Sequence, residues 1–288
     1  MSSSTALLPK DRKNQDHPVF LRVCHSPWAG IGQKSLVGLR FLIALYLLIS
    51  FSLIIYFEID RNEHGWLTIF EFSNITFFIQ VIYHWIVFIW TFMHLHYPHH
   101  GNRSESTSTL VQRFFSPPRQ STNNRECFSI FYYAASSLPH VATLIHWIVL
   151  IPNKKTTIPA DQIFGHGWFQ VFFVFNKFCI NSIIALVEIF FFSSIKRPET
   201  IWTHIFGITF LSLLYVAWAY LGDYFTGKFA YYFLDNTRVG WDNAAASIIA
   251  FVVSGDVLFV VVFALTGIRE ILTKNSENKS RGYTTLPQ

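Results

Sequence analysis

Six long apolar runs, separated by polar stretches, organise this chain. They fall at about Leu36–Phe57, Leu67–Leu95, Phe128–Ile151, Trp168–Ile195, Ile201–Leu221 and Ala244–Thr266. A helix rises about 1.5 Å per residue, so each run is long enough to cross a hydrocarbon core about 30 Å thick. The connections are short, which favours one bundle over several domains. The pattern predicts an all-α, polytopic integral membrane protein. Its six transmembrane helices occupy residues 36–268, between an N-terminal segment (1–35) and a tail (269–288). The polar stretch His96–Glu126 contains Pro117-Pro118 and reads as a flexible linker. Residues Gly222–Asn243 mix aromatics with charges, as segments at headgroup level do, and predict an interfacial cap on the bundle.

Composition strengthens this reading. Of 288 residues, 51% are hydrophobic and 14% charged, against about 25% charged in soluble domains. The net charge of +5 is unevenly placed. Fifteen Lys and Arg lie in the N-terminal segment, the second and fourth connections and the tail, against five in the other connections. By the positive-inside rule both termini are expected in the cytoplasm. The basic excess then faces anionic lipid headgroups, and no nucleic-acid motif accompanies it. The polar N-terminal segment lacks the short apolar core of a secretory signal. Cys24, Cys127 and Cys179 form no framework and are expected as free thiols. Helix length does not separate the endoplasmic reticulum from the plasma membrane, because tilt absorbs mismatch.

Polar residues inside the apolar runs are the candidates for chemistry, since a polar group in hydrocarbon needs a partner. In the second run Ser73, Gln80 and His84 share a helical stripe, with Thr76 beside it and Asn74 adjacent. From spacing alone the stripe reads first as glue between helices and second as the lining of a site. The fourth run places Lys177, Asn181 and Glu188 on one face, with Lys177 and Glu188 too far apart to pair. Each needs a partner elsewhere, Glu71 or Asp256 being candidates. The third run carries Tyr133, Ser136, Ser137 and His140 on one face, then His146. Pro139 should free a carbonyl there. His140 is the best-placed candidate general base. His94, His96, His99 and His100 resemble one histidine box of membrane di-iron enzymes, but no second box exists. No metal and no cofactor is therefore expected.

The nonapeptide Phe72-Ser73-Asn74-Ile75-Thr76-Phe77-Phe78-Ile79-Gln80 resembles the Phe-Thr-Asn-Trp-Thr-Phe-x-x-Gln signature of the androgen-induced family. That family includes the androgen-dependent TFPI-regulating proteins, with the rolling stone proteins as relatives. Pro139, His146-Trp147, Gly167-Trp168, Cys179-Ile180-Asn181-Ser182 with Glu188, and the segment Phe225–Leu234 are similar to family motifs in the same order. The resemblance covers about residues 36–268. It implies hydrolysis of fatty acid esters of hydroxy fatty acids by an intramembrane threonine and histidine. Here Ser73 stands at the threonine position and Phe178 at the histidine position. Two readings follow. In one, Ser73 attacks a fatty-acyl ester, His140 activates it, and Lys177, Asn181 or Gln80 stabilises the oxyanion. In the other, of rolling stone type, a non-enzymatic membrane protein binds lipid or a partner in adhesion or cell fusion.

Overall fold

A computed structural model describes residues 19–60, 65–96, 115, 122–154 and 168–282. Among these there is no strand, and six helices are long and apolar enough to cross a membrane. The chain begins with a short helix α1 (Val19–Val23) and the long α2 (Gln33–Asp60). A 3-10 turn (Gly65–Phe70) leads into α3 (Phe72–His96). Next come α4 (Thr122–Leu144), extended by a π-helical turn (Ile145–Leu150), and α5 (Trp168–Phe192). The last three are α6 (Ile201–Thr226), the short α7 (Asn236–Val239) and α8 (Trp241–Gly282).

Helix α4 is the centre of the bundle. In the most apolar part of each span, 67% of α4 residues are buried, against 28% in α2 and 22% in α8. Helix α4 packs against α1, α3, α5, α6 and α8. The outer faces carry exposed Leu42, Tyr56, Ile148, Ile249 and Val257. So much continuous apolar surface is suited to lipid and not to water.

Three features depart from the expected organisation. First, the second apolar run is not one helix. It breaks at Glu71, whose carbonyl accepts the backbone N–H groups of Asn74 and Ile75 and so starts α3. Ser73 therefore lies in the first turn of α3, not in the middle of a span. Second, part of the N-terminal segment is built into the bundle. Phe20, Val23 and Cys24 are buried in the main core. The last four carbonyls of a helix have no partner within it, and at the end of α5 all four find one outside. Ile189 is met by Arg269, Phe190 by the Trp28 indole, Phe191 by the Ser26 hydroxyl and Phe192 by Arg40. Third, α8 runs past Thr266 to Gly282, with Arg269 buried, where a polar tail was expected.

The segment between α6 and α8 does cap one end of the bundle. Gly227 ends α6 in the left-handed conformation (φ 68°), with its N–H on the Asp223 carbonyl at 2.7 Å. The chain then turns Tyr231, Phe233 and Leu234 into the core.

Candidate functional site

Helix α5 departs twice from regular α geometry, through π-helical turns at Asn176–Ile180 and Glu188–Phe192. Such turns re-aim side chains and leave backbone carbonyls open to outside donors. Each turn carries one of the helix's two buried charges, Lys177 and Glu188. They lie about 16 Å apart along the axis, and each is held by two groups.

At the first turn, Lys177 Nζ lies 2.6 Å from Glu58 Oε1 at the end of α2 and also pairs with Glu71 Oε2. Asn74 Nδ2 donates to Glu58 Oε2 at 2.6 Å and to the Thr68 carbonyl at 2.9 Å, and lies 3.4 Å from Glu71 Oε2. The Ser73 hydroxyl donates to Glu71 Oε2 at 3.3 Å. The Ser73 N–H donates to the Tyr231 hydroxyl of the cap at 3.4 Å. Thr76 donates to the Ser73 carbonyl at 2.9 Å. Lys177 also lies over the Phe173 ring, 4.8 Å from its centre. The assembly ties α2, α3, α5 and the cap together. Burial pushes the Tyr231 phenol up to about 12, and the charge of Glu71 acts in the same direction.

At the second turn the signs are reversed. Arg40 Nη2 lies 3.1 Å from Glu188 Oε1 and donates to the carbonyls of Val23 (2.8 Å) and Phe192 (2.9 Å). The Tyr83 hydroxyl donates to Glu188 Oε1 at 2.8 Å. Arg269 donates to the Ile189, Ser193 and Ile195 carbonyls. The dipole at a helix C-terminus favours such cations.

Between the two centres, Gln80 spans the α4–α5 interface. Its amide meets the Asn181 carbonyl at 3.1 Å and the Ala135 carbonyl at 3.3 Å. Ala135 is the residue whose helical bond Pro139 removes, so Gln80 takes up the freed acceptor. Thr143 lies within 2.9 Å of the Phe178 carbonyl and 2.6 Å of the Ser182 hydroxyl. Gln80 Oε1, His84 Nδ1, both Asn181 side-chain polar atoms and His140 Nε2 have no partner among the described residues.

Of the predicted site residues, the fold joins Ser73, Asn74 and Lys177 in one centre, and Gln80 with Asn181 in another. Glu188 belongs to a separate ionic centre. Ser73 is hydrogen-bonded to Glu71 and Tyr231, not to His140. His146 instead is within electrostatic reach of Lys177 and Glu71. It stacks flat on Phe178, and neither ring nitrogen has a partner among the described residues. Lys177 does take Glu71 as a partner. Asp256 instead accepts from Thr209 at 2.9 Å. Sequence reasoning missed Glu58, Arg40, Arg269 and Tyr231. Arg40 carried a readable signal, a lone charge inside an apolar run. The three cysteines are free thiols. No metal-ligating cluster of three occurs among the described residues, and His99 and His100 lie outside them.

A cavity of about 710 Å³ is lined by Trp66, Leu67, Ile69, Phe70, Phe225, Thr226 and Lys228. Phe70 directly precedes Glu71 in the chain, but Glu71, Ser73 and Lys177 are not among the lining residues. Comparison with protein-family models, curated proteins and solved structures finds no match to this chain.

Proposed function

We propose that this chain is a multi-pass membrane protein of the androgen-induced type that acts on fatty-acyl ester lipids, with Ser73 as nucleophile. The carrying observation is the Ser73 hydroxyl bonded to Glu71, whose carboxyl group also pairs with Lys177. In this reading the acyl chain lies in the cavity of Trp66, Phe70 and Phe225, which ends one residue along the chain from Glu71. Ser73 Oγ attacks the ester carbonyl carbon while its proton passes to Glu71, the acceptor it already bonds. The Lys177 ammonium faces the negative charge that develops on the carbonyl oxygen. The alcohol leaves with a proton, and water then releases the acid from Ser73. Both termini are cytoplasmic in this reading, with Arg22, Arg40 and Arg269 at the cytoplasmic end. The host membrane is the endoplasmic reticulum or the plasma membrane.

One observation favours a second reading, a non-enzymatic lipid- or partner-binding protein of rolling stone type. Phe178 occupies the histidine position, and Ser73 is only 1% exposed. A fluorophosphonate probe on membranes bearing the protein separates the two. Labelling of the wild type that is lost in Ser73→Ala and weakened in Glu71→Gln is the hydrolase outcome. No labelling of folded wild-type protein sinks the hydrolase and leaves the binding protein.

A further inference from the structure

Among the described residues, the acidic centre does not balance its charges. Glu58 and Glu71 bring two carboxyl groups to one ammonium, Lys177. The other groups facing it are Ser73 and Asn74 of α3, Tyr231 of the cap, Tyr215 of α6 and His146 of the π-helical turn after α4. Among the described residues, none of the groups facing it is a fixed cation. The buried guanidiniums of Arg40 and Arg269 are engaged at the other end of α5. A buried negative charge without a counter-charge is strongly unfavourable.

A second observation concerns hydrogen bonds. The Asn74 amide has two N–H donors for three oxygens, those of Glu58, Glu71 and Thr68. Its own Oδ1 receives no donor from the described residues, although Asn74 is only 3% exposed. The centre is rich in acceptors and short of donors. A proton on one carboxyl group corrects both defects, removing one negative charge and adding one donor.

We propose that the Glu58–Glu71 pair binds one exchangeable proton, so that the centre is a neutral carboxylate–ammonium–carboxylic acid cluster. The proton comes from hydronium in bulk water, leaving a water molecule behind. It enters through Glu71, whose side chain is 18% exposed, whereas those of Lys177 and Glu58 are 1% and 5% exposed. The proton belongs to the pair, because the two carboxyl groups share one ammonium. This inference does not depend on any chemistry at Ser73.

Infrared spectroscopy of the purified full chain in lipid nanodiscs tests it. The expected result at neutral pH is a carboxylic-acid C=O band that shifts in D2O and shifts again when only glutamate is labelled with 13C. The labelling excludes Asp256. The band should be lost in Glu58→Gln and in Glu71→Gln, each of which leaves one carboxylate to balance Lys177. A wild type without a glutamate acid band, measurable even if neither variant folds, overturns the proposal. So does a band that survives both substitutions.

Discussion

His146 lies flat on Phe178, with ring centroids 3.8 Å apart and planes within 8° of parallel. The stack puts an imidazole directly against the position where the androgen-induced resemblance places histidine. Phe178 belongs to the π-helical turn that carries Lys177, and its backbone carbonyl sits close to Thr143 and Trp147. The ring at position 178 is therefore held from several sides. In Phe178→His an imidazole of smaller volume enters an already shaped slot beside Lys177. If Ser73 is the nucleophile, fluorophosphonate labelling should rise in Phe178→His, by about tenfold or more given the usual worth of a positioned base. Unchanged labelling in Phe178→His would detach this stack from the chemistry.

Lys177 is buried and pairs with two carboxyl groups, and its removal should be correspondingly severe. Lys177→Met keeps a similar length but leaves Glu58 and Glu71 with no counter-charge. Breaking a buried pair from one side typically costs about 3–5 kcal/mol. Arg197 and Glu270 form the contrasting case, with side chains 44% and 23% exposed. Glu270→Gln should change stability by no more than about 1 kcal/mol. Tryptophan fluorescence during thermal unfolding in detergent reads both. Equal midpoints for the two variants would contradict the structure at this centre.

Gly222 shows how closely α6 meets the turn before α3. A Cβ placed there would stand 2.6 Å from Phe70 Cγ and 2.8 Å from Phe70 Cβ. Phe70 is buried, and its backbone carbonyl accepts the Tyr215 hydroxyl at 3.3 Å, so the ring has little freedom to retreat. Gly222→Ala should therefore destabilise by about 1–3 kcal/mol, the range for overpacking. Combining it with Phe70→Leu should recover part of that loss, which a double-mutant cycle would report as a coupling between the two positions. Additive effects would mean that the helices separate at no cost.

The membrane-spanning architecture was legible because apolar length alone decides it. The partnership of Lys177 with Glu71 was legible too, because a buried ammonium must find one of the few acids. Glu58 escaped because the first apolar run was read as ending at Phe57, one residue short of it. Arg40 was passed over among the leucines around it. The N-terminal segment was read only as a polar flank of the bundle. Its role is to supply donors such as Ser26 and Trp28 to the carbonyls at the end of α5, a need visible only once that helix end is placed. The π-helical turns left no mark in the apolar periodicity. A sequence can therefore show that His146, Phe178 and Lys177 exist but not that they meet.

Tyr231 offers a pH readout of the cap. Its ring is buried at the acidic centre, its hydroxyl accepts from the Ser73 N–H, and burial raises its pKa to about 12. An exposed tyrosine titrates near about 10. Between those values the folded protein keeps a proton that the unfolded chain has released. The stabilising contribution is therefore complete below about pH 10 and is lost as pH rises through about 12. A difference titration of phenolate absorbance, wild type minus Tyr231→Phe, should show one tyrosine ionising late. Stability measured across the same window should fall less steeply in Tyr231→Phe, which has no phenol to ionise. A difference spectrum centred near pH 10 would mean that the cap opens Tyr231 to water, and the bond between the cap and the first turn of α3 would then have to be abandoned.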